Sequence, residues 1–150
     1  MTYLLIKLIH IISATIMFGT GIGSAFYLFS AYKRSNANTV KDVLKLVILA
    51  DNIFTTPAVL LQLITGIWLS SLLGLLSSKW FIVVIICSVL VFALWVRAVY
   101  LQIKMKRLLD QYNCLTEAFH KNMKEWFYLG IPAFAGTLFL FYLMVFKPVF

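Results

Sequence analysis

The chain has little charge, and least of all negative charge. Asp and Glu number five against 13 Lys and Arg in 150 residues, and charged residues make up 12% of the total, where a soluble domain carries about a quarter. That shortage excludes an ordinary water-soluble domain. Cysteine is scarce too. Cys87 and Cys114 show no CxxC spacing, so a zinc or redox site built from cysteine is not expected, and their different depths forbid pairing with each other. Histidine appears twice, as His10 and His120. No internal repeat, low-complexity tract or composition break divides the chain, so a single domain over residues 1–150 is expected.

What is abundant is apolar sequence: 63% of residues are hydrophobic and the mean hydropathy is +0.97. Four runs, at approximately 3–32, 47–72, 80–103 and 126–146, reach the roughly 17 to 25 residues that cross a hydrocarbon core of about 30 Å. They are unbroken rather than alternating, which excludes a transmembrane β-barrel. An all-α integral membrane four-helix bundle is expected. The first run is nearly 30 residues long with no basic residue before Lys7, unlike a cleaved signal with its core of about 7 to 15. It is read as span one.

Basic residues set the expected orientation, because Lys and Arg are retained on the cytoplasmic side. Lys33, Arg34, Lys41 and Lys45 follow span one, and Lys104, Lys106, Arg107, Lys121 and Lys124 lie between spans three and four. Both termini should then face outward, N-out and C-out, with spans three and four extended on the cytoplasmic side. The net charge of +8 suits anionic membrane lipid as a partner and requires no nucleic acid. In "KRSNANTVKDVLK", Thr39 and Asp42 have capping-box spacing, so a helix is expected to start there. Leu108, Tyr112, Leu115, Phe119 and Trp126 form an amphipathic stripe, read as a helical hairpin beyond the membrane in preference to a helix on the lipid surface.

Ionisable residues inside a span are costly and are usually paired or set in a polar cavity. Asp51 and Arg97 fall at similar depth in spans two and three, and an ion pair between them is expected. Proton transfer or ligand binding, or an Arg97 that reaches alone to the headgroups, are the alternatives. Pro57 in "FTTPAV" should kink span two, with Thr55 and Thr56 satisfying freed backbone groups. Gln62, Thr65 and Gly66 share a stripe that faces the bundle, for interhelical hydrogen bonds or a polar cavity. In span one Lys7, His10, Ser13, Met17, Gly21 and Ser24 share a polar or small face. His10 can serve there as a hydrogen-bonded structural group, a proton carrier or a haem or metal ligand. His120 lies too far away in depth to share a metal with it. Gly19 and Gly23 form GxxxG, which permits close approach of another membrane helix.

The segments "LLIKLIHIISATIMFGTGIGSAF", "LADNIFTTPAVLLQLITG", "WVRAVYLQIKMKRL" and "LGIPAFAGTLFLFYLMVFKP" resemble an uncharacterised family of bacterial integral membrane proteins of about this length. "LIKLIHII" and "MVFKP" more distantly resemble the ends of the HemJ-type protoporphyrinogen oxidases. That second resemblance implies a b-type haem on His10, with Lys7, Pro57, Lys147 and Pro148 at motif positions, and no catalytic residue is assigned. The expected protein is therefore a multi-pass protein of the bacterial inner membrane, of unassigned activity, with a polar interior open to a small ligand; the most specific version, from the resemblance, is haem b bound through His10. The alternatives are a HemJ-like oxidase, or an oligomeric transporter or proton conductor that uses Asp51 and Arg97.

Overall fold

The computed structural model describes residues 1–34 and 36–148. Within them run α1 (Thr2–Arg34), α2 (Ala37–Ala50), a π-helical turn (Asp51–Thr55), α3 (Thr56–Leu72), α4 (Lys79–Tyr112) and α5 (Glu117–Phe146). The turn joins α2 and α3 end to end, so Ala37–Leu72 forms one rod, and the described residues contain no strand. Each of the four rods is long and apolar enough to cross a membrane. Leu8, Ile64, Leu90 and Phe146 are among many large apolar side chains left exposed along them. Water would penalise such surface, whereas lipid chains match it.

Local chemistry explains where the rods begin and end. Asn36 caps α2 by accepting from the Thr39 N–H at 3.0 Å, Ser78 caps α4 through the Phe81 N–H at 3.1 Å, and Thr116 caps α5 through the Phe119 N–H at 3.2 Å. The start of α2 therefore differs from the expected Thr39 cap. An asparagine three residues earlier already satisfies the Thr39 amide, and Thr39 becomes part of the first turn. Asn113, at φ 51°, terminates α4 in the left-handed region that Asn tolerates.

The rods alternate in direction, and their basic ends pack tightly. Leu28, Val40, Leu44, Leu101, Met105, Leu109, Phe119 and Met123 interlock there into one core drawn from α1, α2, α4 and α5. The segment between spans three and four is thus a helical hairpin seated on the bundle. Its apolar stripe on α4 is rotated by one residue from the expected one: Met105 and Leu109, four apart, are buried, while Leu108 is half-buried and Tyr112 exposed. Polar ties surround this core. Lys41 bridges Asp110 at 3.0 Å and donates to Asn113 Oδ1 at 3.2 Å, and Tyr32 Oη bonds His120 Nδ1 at 2.6 Å. Asp110 lies beyond the apolar run of α4, and the hydrogen bond from Lys41 holds its carboxyl below the ordinary value of 3.8.

The opposite half is built differently. There α1 packs on α3 and α4 packs on α5, while α3 makes no extended contact with α4 or α5 among the described residues. Phe18 bridges the two pairs, its ring 5.1 Å from that of Phe134 and 5.3 Å from that of Phe141. The four-helix bundle is therefore tightly packed at its basic end, while at the end that carries both termini it is two helical pairs joined through Phe18.

Candidate functional site

Two polar clusters are set into this apolar frame. The first joins α1 to α3, where the polar face of one helix meets the Gln62, Thr65 and Gly66 stripe of the other. Ser13 Oγ donates to Gln62 Oε1 at 2.6 Å, which orients the Gln62 amide so that its Nε2 donates to His10 Nε2 at 2.9 Å. With Nε2 accepting, the His10 proton sits on Nδ1, 2.8 Å from Thr65 Oγ1. Thr65 in turn donates to the Leu61 carbonyl one turn back. Both ring nitrogens of the imidazole are thereby engaged. Gly66 is what admits the ring, since a Cβ at that position would stand 3.2 Å from His10 Cε1.

That closure decides the fit of a haem. Iron needs a ring nitrogen with a free lone pair, and here Nε2 is held by Gln62 while Nδ1 is protonated toward Thr65. Lys7, one turn away, is turned over the Tyr3 ring at 5.9 Å. These residues do not fit a haem. Their arrangement clasps α1 to α3.

The second cluster centres on Asp51, the first residue of the π-turn. Pro57 lacks an N–H, and its ring would crowd the carbonyl one α-turn back. The chain widens by one residue instead, with the Thr56 N–H reaching the Asp51 carbonyl and Thr56 Oγ1 donating to the same oxygen at 2.9 Å. Wide turns of this kind recur at functional positions. This one directs the Asp51 side chain inward, where it is only 7% exposed. Thr55 Oγ1 donates to Asp51 Oδ1 at 2.7 Å and Gln102 Nε2, from α4, to Oδ2 at 3.0 Å. No basic group lies within 4.0 Å of the carboxylate among the described residues.

The expected Asp51–Arg97 pair does not form. Arg97 is bound to Glu125 of α5 through Nε at 3.0 Å and Nη2 at 2.5 Å, on a half-exposed surface where it also lies over the Tyr100 ring. Depth matched, but azimuth did not. Five residues separate Arg97 from Gln102, a rotation of roughly 140° about the helix, so only Gln102 faces Asp51. The lone amide in "AVYLQIKM" was a signal for it, at a depth as close to Asp51 as that of Arg97.

Gly19 and Gly23 also sit differently from a packed GxxxG within the chain. A Cβ at either would meet nothing within 4 Å. The close approach occurs at Gly136 on α5, where a Cβ would fall 2.6 Å from Val91 Cγ2 of α4. Among the described residues no three His, Cys, Asp or Glu side chains converge as a metal centre would require.

Four rods of this length and surface, with polar groups turned inward and apolar ones outward, describe a membrane protein, and one family pattern covers residues 4–148. The chain belongs to the predicted integral membrane protein family DUF2269. No curated protein and no solved structure matches it. Membership accounts for the multi-pass architecture, and the family's description names no activity.

Proposed function

We propose that this DUF2269 protein handles a cation within the membrane, as a transporter or conductor of the bacterial inner membrane, with Asp51 as the group that binds it. One observation carries the reading: a buried carboxylate, held by neutral donors and without a basic partner, in a span interior. A charge so placed is expensive unless a counter-charge visits it. Basic residues crowd the tightly packed end, which favours that end as cytoplasmic and both termini as external. The haem-binding and oxidase readings rest on His10, whose nitrogens are both engaged.

Purified protein in proteoliposomes tests the proposal. Under an imposed potential, cation or proton uptake should depend on the protein, fall to the empty-liposome rate in Asp51→Asn, and persist in Arg97→Gln. Uptake that survives Asp51→Asn, or is absent from folded wild-type protein, would refute it.

A further inference from the structure

Gln102 is 4% exposed, and its amide is only half used. Nε2 is spent on Asp51 Oδ2, while Oε1 is a buried acceptor with no partner. Trp95 Nε1 is the other buried side-chain polar atom in that condition among the described residues. Orphaned buried acceptors are costly and call for an explanation. This one stands beside a carboxylate that lacks a counter-charge. The two deficits have one remedy, a positive group that accepts electron density from both.

The chemistry of the site narrows what that group is. Asp51 is met on both oxygens by donors, Thr55 Oγ1 and Gln102 Nε2; a further lone pair on either oxygen could take a proton, but in this amide orientation that proton leaves Oε1 bare. A metal cation instead takes lone pairs from Oε1, from the carboxylate and from the Thr55 hydroxyl oxygen, whose proton is already committed to Asp51. All three are hard oxygen ligands, which exclude soft metals. Only one of them carries charge. A divalent ion would leave a net positive charge buried in a low-dielectric interior, whereas a single positive charge is balanced.

No other charged group competes for the carboxylate. No titratable side chain occurs on α3, nor on α1 between His10 and Tyr27. On α2, Lys45 lies 3.4 Å from Asp42. On α4, Arg97 is committed to Glu125, Lys104 is exposed, and Lys106 lies one turn nearer the basic end, where its charge acts on Asp110.

We infer that Asp51, Thr55 and Gln102 form a binding site for one monovalent cation of the alkali series. The inference rests on the cation-handling reading above and names the class of ion. The π-turn aims two of the three oxygens inward, α4 supplies the third, and the ion ties the α2–α3 rod to α4 where the tightly packed core gives way to the two helical pairs.

Binding of radiolabelled sodium and rubidium to the full chain in nanodiscs is the test, at constant ionic strength set with choline chloride. Saturable, stoichiometric binding of at least one is expected, competed by unlabelled alkali ions and not by calcium. It should be lost in Asp51→Asn, weakened by about tenfold or more in Gln102→Leu, and retained in Arg97→Gln. Melting of the wild-type protein should rise with the same ion and not with choline, a readout that needs no variant. If Asp51-dependent proton uptake is found without saturable alkali binding, a water or proton fills the site: the inference falls while the proposed function stands. If neither is found in folded protein, both fall. Saturable binding of calcium alone overturns the monovalent assignment.

Discussion

Within the His10 clasp each side chain has a partner because the donors and acceptors are matched as a set. Gln62 can present its oxygen to Ser13 and its nitrogen to His10 only in one amide orientation, and that orientation dictates the imidazole tautomer. Replacing Gln62 by Leu removes both bonds at once; Ser13 keeps its bond to the His10 carbonyl at 2.9 Å, but His10 Nε2 is left without a partner. Interhelical hydrogen bonds in membranes contribute about 0.6 to 2 kcal/mol. Gln62→Leu should therefore destabilise the protein by about 1 to 2 kcal/mol in reversible detergent unfolding; an unchanged midpoint would show that the clasp contributes nothing. Asp51 differs in kind, because its neighbours satisfy it as a hydrogen-bond acceptor without balancing its charge. A saturated cluster holds helices together. An unbalanced one still carries a charge that its neighbours do not cancel.

At the scale of the element, the GxxxG motif and the close glycine contact within the chain fall on different helices. Gly19 and Gly23 had the motif and open surroundings; Gly136 had no motif and the contact. A methyl group 2.6 Å from Val91 Cγ2 cannot be absorbed by a β-branched side chain with few rotamers, so α4 and α5 must part. Gly136→Ala should cost about 1 to 3 kcal/mol, and Val91→Ala should recover much of it in the double variant. Gly19→Ala should leave the isolated chain unaffected. Additive losses in the Gly136→Ala, Val91→Ala pair would mean that the two residues do not meet. The π-turn is likewise an effect of neighbours in sequence. Pro57 announces that the regular ladder must fail near it, but whether the helix kinks or widens depends on what the displaced residue gains, and here Asp51 gains Gln102.

For the whole molecule, the asymmetry between a tightly packed half and a half made of two helical pairs is the property that no single helix contains. The basic end carries an interlocked apolar core surrounded by helix caps and an ion pair. The other half presents apolar surface almost all round, and its two pairs touch through Phe18. Lipid supplies no hydrophobic drive to pack the two pairs further. Orientation is checked at this scale through Cys114, an exposed thiol at the basic end. A membrane-impermeant maleimide should leave it unlabelled in intact cells and label it after permeabilisation; labelling in intact cells would reverse the proposed topology.

The sequence by itself determined the number of membrane-spanning helices, their approximate limits and the inward-facing stripes of α1 and α3. These depend on run length and on a 3.6-residue period, both one-dimensional quantities. It also ranked depths, which is why Asp51 and Arg97 looked like partners. What it did not contain was the rotation of one helix against another. That rotation is fixed by how Leu44, Leu101 and Met105 interlock, and it gave Asp51 to Gln102, Arg97 to Glu125, and the nitrogens of His10 to Gln62 and Thr65. Packing across helices decides azimuth, and azimuth decided which polar groups are satisfied and which still have a bond to make.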